Sequence, residues 1–233
     1  MNQALTEALL QRPGAGAGRD RDHELVCYVG RHGVVTIPDV MRAMGVGRSV
    51  AYGRVAVCVE AGLLERLELL RSEPTLLRAT REGLQYAGLG FPIAEVSVGA
   101  VTHWLRCVST AHVLDKHYGA ERVLTERELV HAERVEGRPL ASAEVGTLPS
   151  GAPRLHRPDL AVLADSGVIA IEVELTAKSP ARLARIMFAW SRARWVKEVH
   201  YLCEPGQTRR AVQRAVAKAG AKHKVVVVEK VPW

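Results

Sequence analysis

The chain has 233 residues, 48% of them hydrophobic and only 5% aromatic, so it can bury a core of Val, Leu, Ile and Ala, and wholesale disorder is excluded. No apolar run approaches the roughly 18 residues that span a bilayer, no basic-then-apolar leader opens the sequence, and the cysteines (Cys27, Cys58, Cys107, Cys203) form no CxxC pair, so a cytoplasmic protein with reduced thiols is expected rather than a zinc or disulfide scaffold. The formal charge of +7 is uneven: residues 1–92 hold 11 basic and 10 acidic side chains, residues 178–224 hold 12 and 2, and such a concentration attracts polyanions, nucleic acid first among them.

The first 19 residues end in PGAGAGR and read as a flexible N-terminal segment; no GK[ST] follows the glycines, so a phosphate loop is not indicated. Helical spacing runs from Asp22 to Val29, with Leu25, Val26 and Val29 on one face and Gly33 as the stop. TIPDVMRAMG begins a second helix. Thr36 is its N-cap, Asp39 completes a capping box, Val40, Met41 and Met44 point inward, and Gly45 breaks it. A third helix near Ser49–Ala61 carries Val50, Val55, Val57 and Val59. LLERLELL and TLLRAT then read as two strands joined through Arg71-Ser72-Glu73-Pro74, before a short helix with Leu84, Gln85 and Tyr86. This is the element order of a winged helix-turn-helix over residues 20–92. Its third helix would enter the major groove of double-stranded DNA and present Arg48, Ser49, Tyr52 and Arg54 to bases and phosphates. The near neutrality of this half leaves a protein-only docking role as the alternative.

Phe91-Pro92 marks a boundary, since proline disfavours helix at the residue before it, and residues 93–233 form the second domain. Val96–Tyr118 has helical spacing through Val101, Leu105, Val108 and Leu114. His103, His112 and His117 do not share a face, so no histidine metal site is expected there. Residues 134–156, rich in Gly, Pro, Ser and Ala, read as a loop. Asp159–Ala164 and Val168–Leu175 then form a hairpin about Asp165-Ser166-Gly167. Ile169, Ile171, Val173 and Leu175 share one strand face; Glu172 and Glu174 share the other. Asp159 opens the first strand and approaches both. Carboxylates so close repel unless a cation joins them. Magnesium suits such oxygen donors, and metal-bound water is a nucleophile near neutral pH. Lys178 stands just beyond. The alternative is a solvated polar sheet face paired with the following arginines. Ser179-Pro180 starts a helix with Leu183, Ile186, Met187 and Trp190 inward and Arg182, Arg185 and Arg192 elsewhere. A strand (Val199–Cys203), a helix with Val212, Ala215 and Val216 inward, and a valine-rich strand (Lys224–Glu229) complete the pattern.

The run PD…EVE…K in this setting resembles the PD-(D/E)xK nuclease superfamily. Pro158-Asp159 matches its PD and Glu172 its second acid, while Glu174 stands where lysine is usual. The resemblance implies a restriction-endonuclease-like α/β domain with Asp159, Glu172, Glu174 and Lys178 as catalytic residues. It further implies Mg2+ or Mn2+ held by Asp159 and Glu172, with Glu126 as an additional acid. Arg182 and Arg185 join Arg48, Ser49, Tyr52 and Arg54 as expected DNA contacts. More narrowly, a winged helix with this domain, with His103, Thr125-Glu126-Arg127, RPDLAVL, EVELTAKS and the arginine-rich helix, resembles the replication-relaxation family of plasmids and other mobile elements. The expectation is a mixed α/β, DNA-binding protein with a nuclease-like domain, open to homodimer formation, acting as a magnesium-dependent endonuclease or nickase. The alternative is a non-catalytic replication or transcription regulator with a degenerate nuclease fold.

Overall fold

The computed structural model describes residues 21–68 and 75–229. The lead-in read for residues 1–19 and the turn Arg71-Ser72-Glu73-Pro74 lie outside the described residues. The chain is mixed α/β, in two compact units that divide between His112 and Val113.

The first unit runs α1 (Arg21–His32), β1 (Val34–Thr36), α2 (Ile37–Met44), α3 (Arg48–Glu60), β2 (Leu64–Leu67), β3 (Leu76–Ala79) and α4 (Arg81–Tyr86). β3 lies between β1 and β2, antiparallel to both. The sequence pattern did not foresee β1, whose three residues are too few to show an alternation. The capping box forms as expected. Asp39 N–H donates to Thr36 Oγ1 at 3.4 Å, and Thr36 N–H donates to Asp39 Oδ2 at 2.8 Å. Gly45 ends α2 in the left-handed region at φ 63°, which glycine adopts without a Cβ clash. On α3 the inward stripe is Ala51, Val55 and Cys58, packed with Leu25, Val29, Val40 and Leu77. Val50 and Val57 are 47% and 53% exposed. The i, i+4, i+7 spacing of the buried three sets the helix rotation and turns those two valines outward.

A helix, α5 (Val101–Tyr118), carries the division between the units. The second unit continues with β4 (Val123–Thr125), α6 (Glu126–Glu136), β5 (Ala143–Thr147), β6 (Pro153–His156), β7 (Leu160–Ala164), β8 (Gly167–Glu174), α7 (Pro180–Arg192), β9 (Val196–Cys203), α8 (Gln207–Lys218) and β10 (Val225–Val228). Its five-stranded sheet has the order β10-β9-β8-β7-β4. β4, β7 and β8 are antiparallel neighbours, joined to β9 and β10 in parallel. The parallel pairs need crossovers, and α7 and α8 supply them. Leu183, Ile186, Met187 and Trp190 of α7 and Val212 and Val216 of α8 cover Ala170, Val199, Tyr201 and Cys203 on one sheet face.

Residues 134–156 are not the loop that their composition suggests. β5 and β6 pair as an antiparallel hairpin, and Leu140, Ala141 and Ser142 are buried before it. The organiser is Glu133. Its Oε1 accepts the main-chain N–H groups of Leu140, Ala141 and Ser142 at 3.0, 3.3 and 3.1 Å, and Arg157 Nε lies 3.3 Å from its Oε2. Trp195 Nε1–H adds a bond to Ser142 O at 2.8 Å.

Candidate functional site

The site grows from the β7–β8 hairpin. Ala164 faces Gly167 across the turn and Leu160 faces Ile171, so the same register sets Asp159 opposite Glu172. Asp159 Oδ2 accepts the Val173 N–H at 2.7 Å, which locks the head of one strand to the end of the other. Strand alternation puts Ala170, Glu172 and Glu174 on one face. In the next strand, Tyr201 lies beside Glu172 and Cys203 beside Glu174.

Both faces of β8 are covered from Ile169 to Glu174. Glu172 and Glu174 are only 3% and 4% exposed, so they are not a solvated sheet surface. Drying a carboxylate costs several kcal/mol, and only well-placed partners offset it. The partners are not the arginines downstream. Glu174 is met by the Lys178 ammonium one helical-turn spacing later in the chain. His156 Nε2 lies 2.8 Å from Glu172 Oε1, close enough for an ion pair, although the N–H is not aligned for a hydrogen bond. His156 in turn stands edge-on to the Trp190 ring, with centroids 5.7 Å apart. The three acids therefore each take a separate partner: a main-chain N–H, a histidine and a lysine.

Titration follows this setting. Burial pushes the Glu172 carboxyl up, opposed in part by His156, and the nearby Asp159 charge adds to the rise. For His156, burial lowers the pKa, but attraction to Glu172 outweighs it and the net shift is upward. Tyr201 is raised well above its ordinary value, first by burial and then by Glu172. Burial, reinforced by Glu174, pushes the Cys203 thiol up to about 12, so it stays protonated and is no nucleophile. Among the described residues, Tyr201 Oη and Trp190 Nε1 are buried without an aligned hydrogen-bond partner.

The other expected site residues fall elsewhere. Glu126, at the start of α6, is exposed, and its main-chain N–H reaches Asp159 O at 3.0 Å. On α3, Arg48, Ser49 and Tyr52 are exposed, with the Arg48 guanidinium 5.4 Å from the Tyr52 ring centre. Arg54 instead binds Asp22 Oδ1 at 2.8 Å and ties α3 to α1. Arg182 and Arg185 are exposed on α7. Sequence reasoning missed His156, although it stands just ahead of the RPD run, and it missed Tyr201, whose place beside Glu172 depends on a parallel register that local pattern does not reveal.

Pairs of carboxylates opposed across a ladder suit a hard divalent cation. The Asp159–Glu172 pair offers such oxygens, with Glu172 Oε1 buried 2.8 Å from His156 Nε2 and in no aligned hydrogen bond. A scan of protein-family models finds no match to this chain, and a search of curated proteins finds no relative.

Proposed function

We propose that this chain is a DNA-binding protein with a nuclease-like second unit of the PD-(D/E)xK kind, acting as a magnesium- or manganese-dependent endonuclease or nickase of a plasmid or other mobile element. One observation carries the reading: Glu172 and Glu174 are held dry on one covered sheet face, with Asp159 opposite Glu172, in an arrangement that stability alone does not favour. The sheet order and its two parallel crossovers agree with such a domain. In the first unit, the order of helices and strands, with Arg48, Ser49 and Tyr52 exposed on α3, supports a winged helix-turn-helix that reads duplex DNA.

Asp159 and Glu172 would hold the cation, which would polarise a phosphate and supply an activated water. Lys178 neutralises Glu174 and keeps a positive charge at the same end of β8. The experiment is incubation of supercoiled plasmid with Mg2+ or Mn2+. Open circles are expected from the native chain and not from Asp159→Ala or Glu172→Gln. No nicking with either metal, or equal nicking by the variants, overturns the enzyme reading.

A second reading, a non-catalytic DNA-binding regulator, draws on the internal neutralisation of the acids by Lys178 and His156. Calorimetry separates the two. Tight DNA binding without any magnesium heat supports the regulator, and a magnesium heat lost in Glu172→Gln supports the enzyme.

A further inference from the structure

The outer face of α7 carries a combination that neither core packing nor solubility calls for. Leu183, Ile186, Met187 and Trp190 turn inward. Arg185, Phe188 and Arg192, spaced i, i+3, i+7, form a stripe on the opposite side, with Arg182 at its flank, and all four are exposed. Phe188 is one of only two phenylalanines in the chain, and it stands 54% exposed even with the Arg192 guanidinium 5.4 Å from its ring centre. The charge around it is of one sign. Residues 175–197 hold six lysines and arginines and no carboxylate, and Lys178 alone of these is engaged by an acid among the described residues. Arg182, Arg185 and Arg192 make no ion pair among the described residues. An exposed ring set among unpaired guanidinium groups matches what an unpaired nucleobase and its flanking phosphates require: a π face to stack on and cations along the backbone. Paired bases in a duplex offer no free face to such a ring.

We propose that this stripe binds single-stranded nucleic acid, with Phe188 as a base-stacking platform and Arg182, Arg185 and Arg192 as phosphate contacts. The proposal rests on the reading of the chain as nucleic-acid-binding and goes beyond it by naming the strand state and the residues. A strand displaced or melted near the second unit would be held there while the first unit grips duplex.

The test is fluorescence anisotropy with a labelled oligothymidylate and with a labelled duplex of equal length. Phe188→Ala should weaken single-strand binding about ten-fold or more, within the range of one lost stacking contact, and leave duplex binding unchanged. Phe188→Tyr should restore it. Arg185→Ala with Arg192→Ala should make the single-strand salt dependence shallower, since two phosphate contacts are lost. The substituted side chains are exposed, and unchanged thermal melting confirms that each variant is folded. Undiminished single-strand affinity in Phe188→Ala, or an equal loss for both probes, overturns this inference and leaves the duplex-binding reading standing. Absence of binding to either probe by the native chain overturns both.

Discussion

Two buried glutamates in the second unit have opposite surroundings. Glu133 gathers three main-chain N–H groups on one oxygen, and Arg157 faces the other at 3.3 Å without an aligned hydrogen bond. Glu172 sits as deep, yet its Oε1 has no main-chain donor among the described residues, faces a histidine at 2.8 Å that is likewise unaligned, and lies near a second acid. The first arrangement is what a fold needs from a buried charge, since each donor would otherwise be dry and unpaired. The second gives the fold little. The contrast teaches that burial does not by itself mark function, and that an under-partnered buried carboxylate is the more informative one.

Substitution can break this contrast. Glu133→Ala strands three N–H groups and a guanidinium, and should lower unfolding free energy by about 3 kcal/mol or more in urea titration. A loss under about 1 kcal/mol would remove Glu133 as the organiser of β5 and β6. Asp159→Ala deletes the acceptor for Val173 N–H and should cost about 2 kcal/mol, the worth of a hydrogen bond to a charged group. Glu172→Gln should change stability by no more than about 1 kcal/mol, and a loss rivalling that of Glu133→Ala would erase the distinction.

The pH response sharpens it. Glu172 and His156 are both raised from their ordinary 4.5 and 6.5, so the folded state holds their protons more tightly than the unfolded chain does. Each contributes stability that is fully present below its unfolded value and is lost as pH rises through its folded one. Unfolding free energy should therefore fall as pH climbs above 4.5, and further above 6.5. His156→Gln should flatten the upper part of that decline. A stability that rises across this window would reverse the assigned direction. The smallest effect belongs to an exposed pair. Arg122 and Asp165 lie 2.8 Å apart with Asp165 84% exposed, and Arg122→Ala should cost less than about 0.5 kcal/mol.

Much of this molecule was legible where the signal is local. T-x-x-D at Thr36 and Asp39 announced a capping box, and alternation with Asp165-Ser166-Gly167 announced the β7–β8 hairpin and put Glu172 and Glu174 on one face. Lys178, four residues after Glu174, was within reach by spacing alone. What stayed hidden depends on distant or main-chain partners. Glu133 works through N–H groups that no residue type betrays, so residues 134–156 passed for a loop. Tyr201 comes beside Glu172 only through a parallel crossover, and Trp190 meets His156 from the helix of that crossover. His156 was readable as a neighbour of Asp159 in sequence, but its contact with Glu172 requires β6 to be ordered first. Arg54 looked like a DNA contact by helix position, and its tie to Asp22 needed the packing of α1.

The order of strands in the larger sheet also has a consequence for synthesis. The hairpin bearing Asp159, Glu172 and Glu174 closes on itself through antiparallel neighbours made at nearly the same moment, and local pairing of this kind is fast. Its other neighbour, β9, and the helix lid that covers the acids emerge from the ribosome later. In every round of translation the acids therefore pass through a wet stage on an open ribbon. The work of drying them falls to the closing stretch of polypeptide, from Pro180 to Val228.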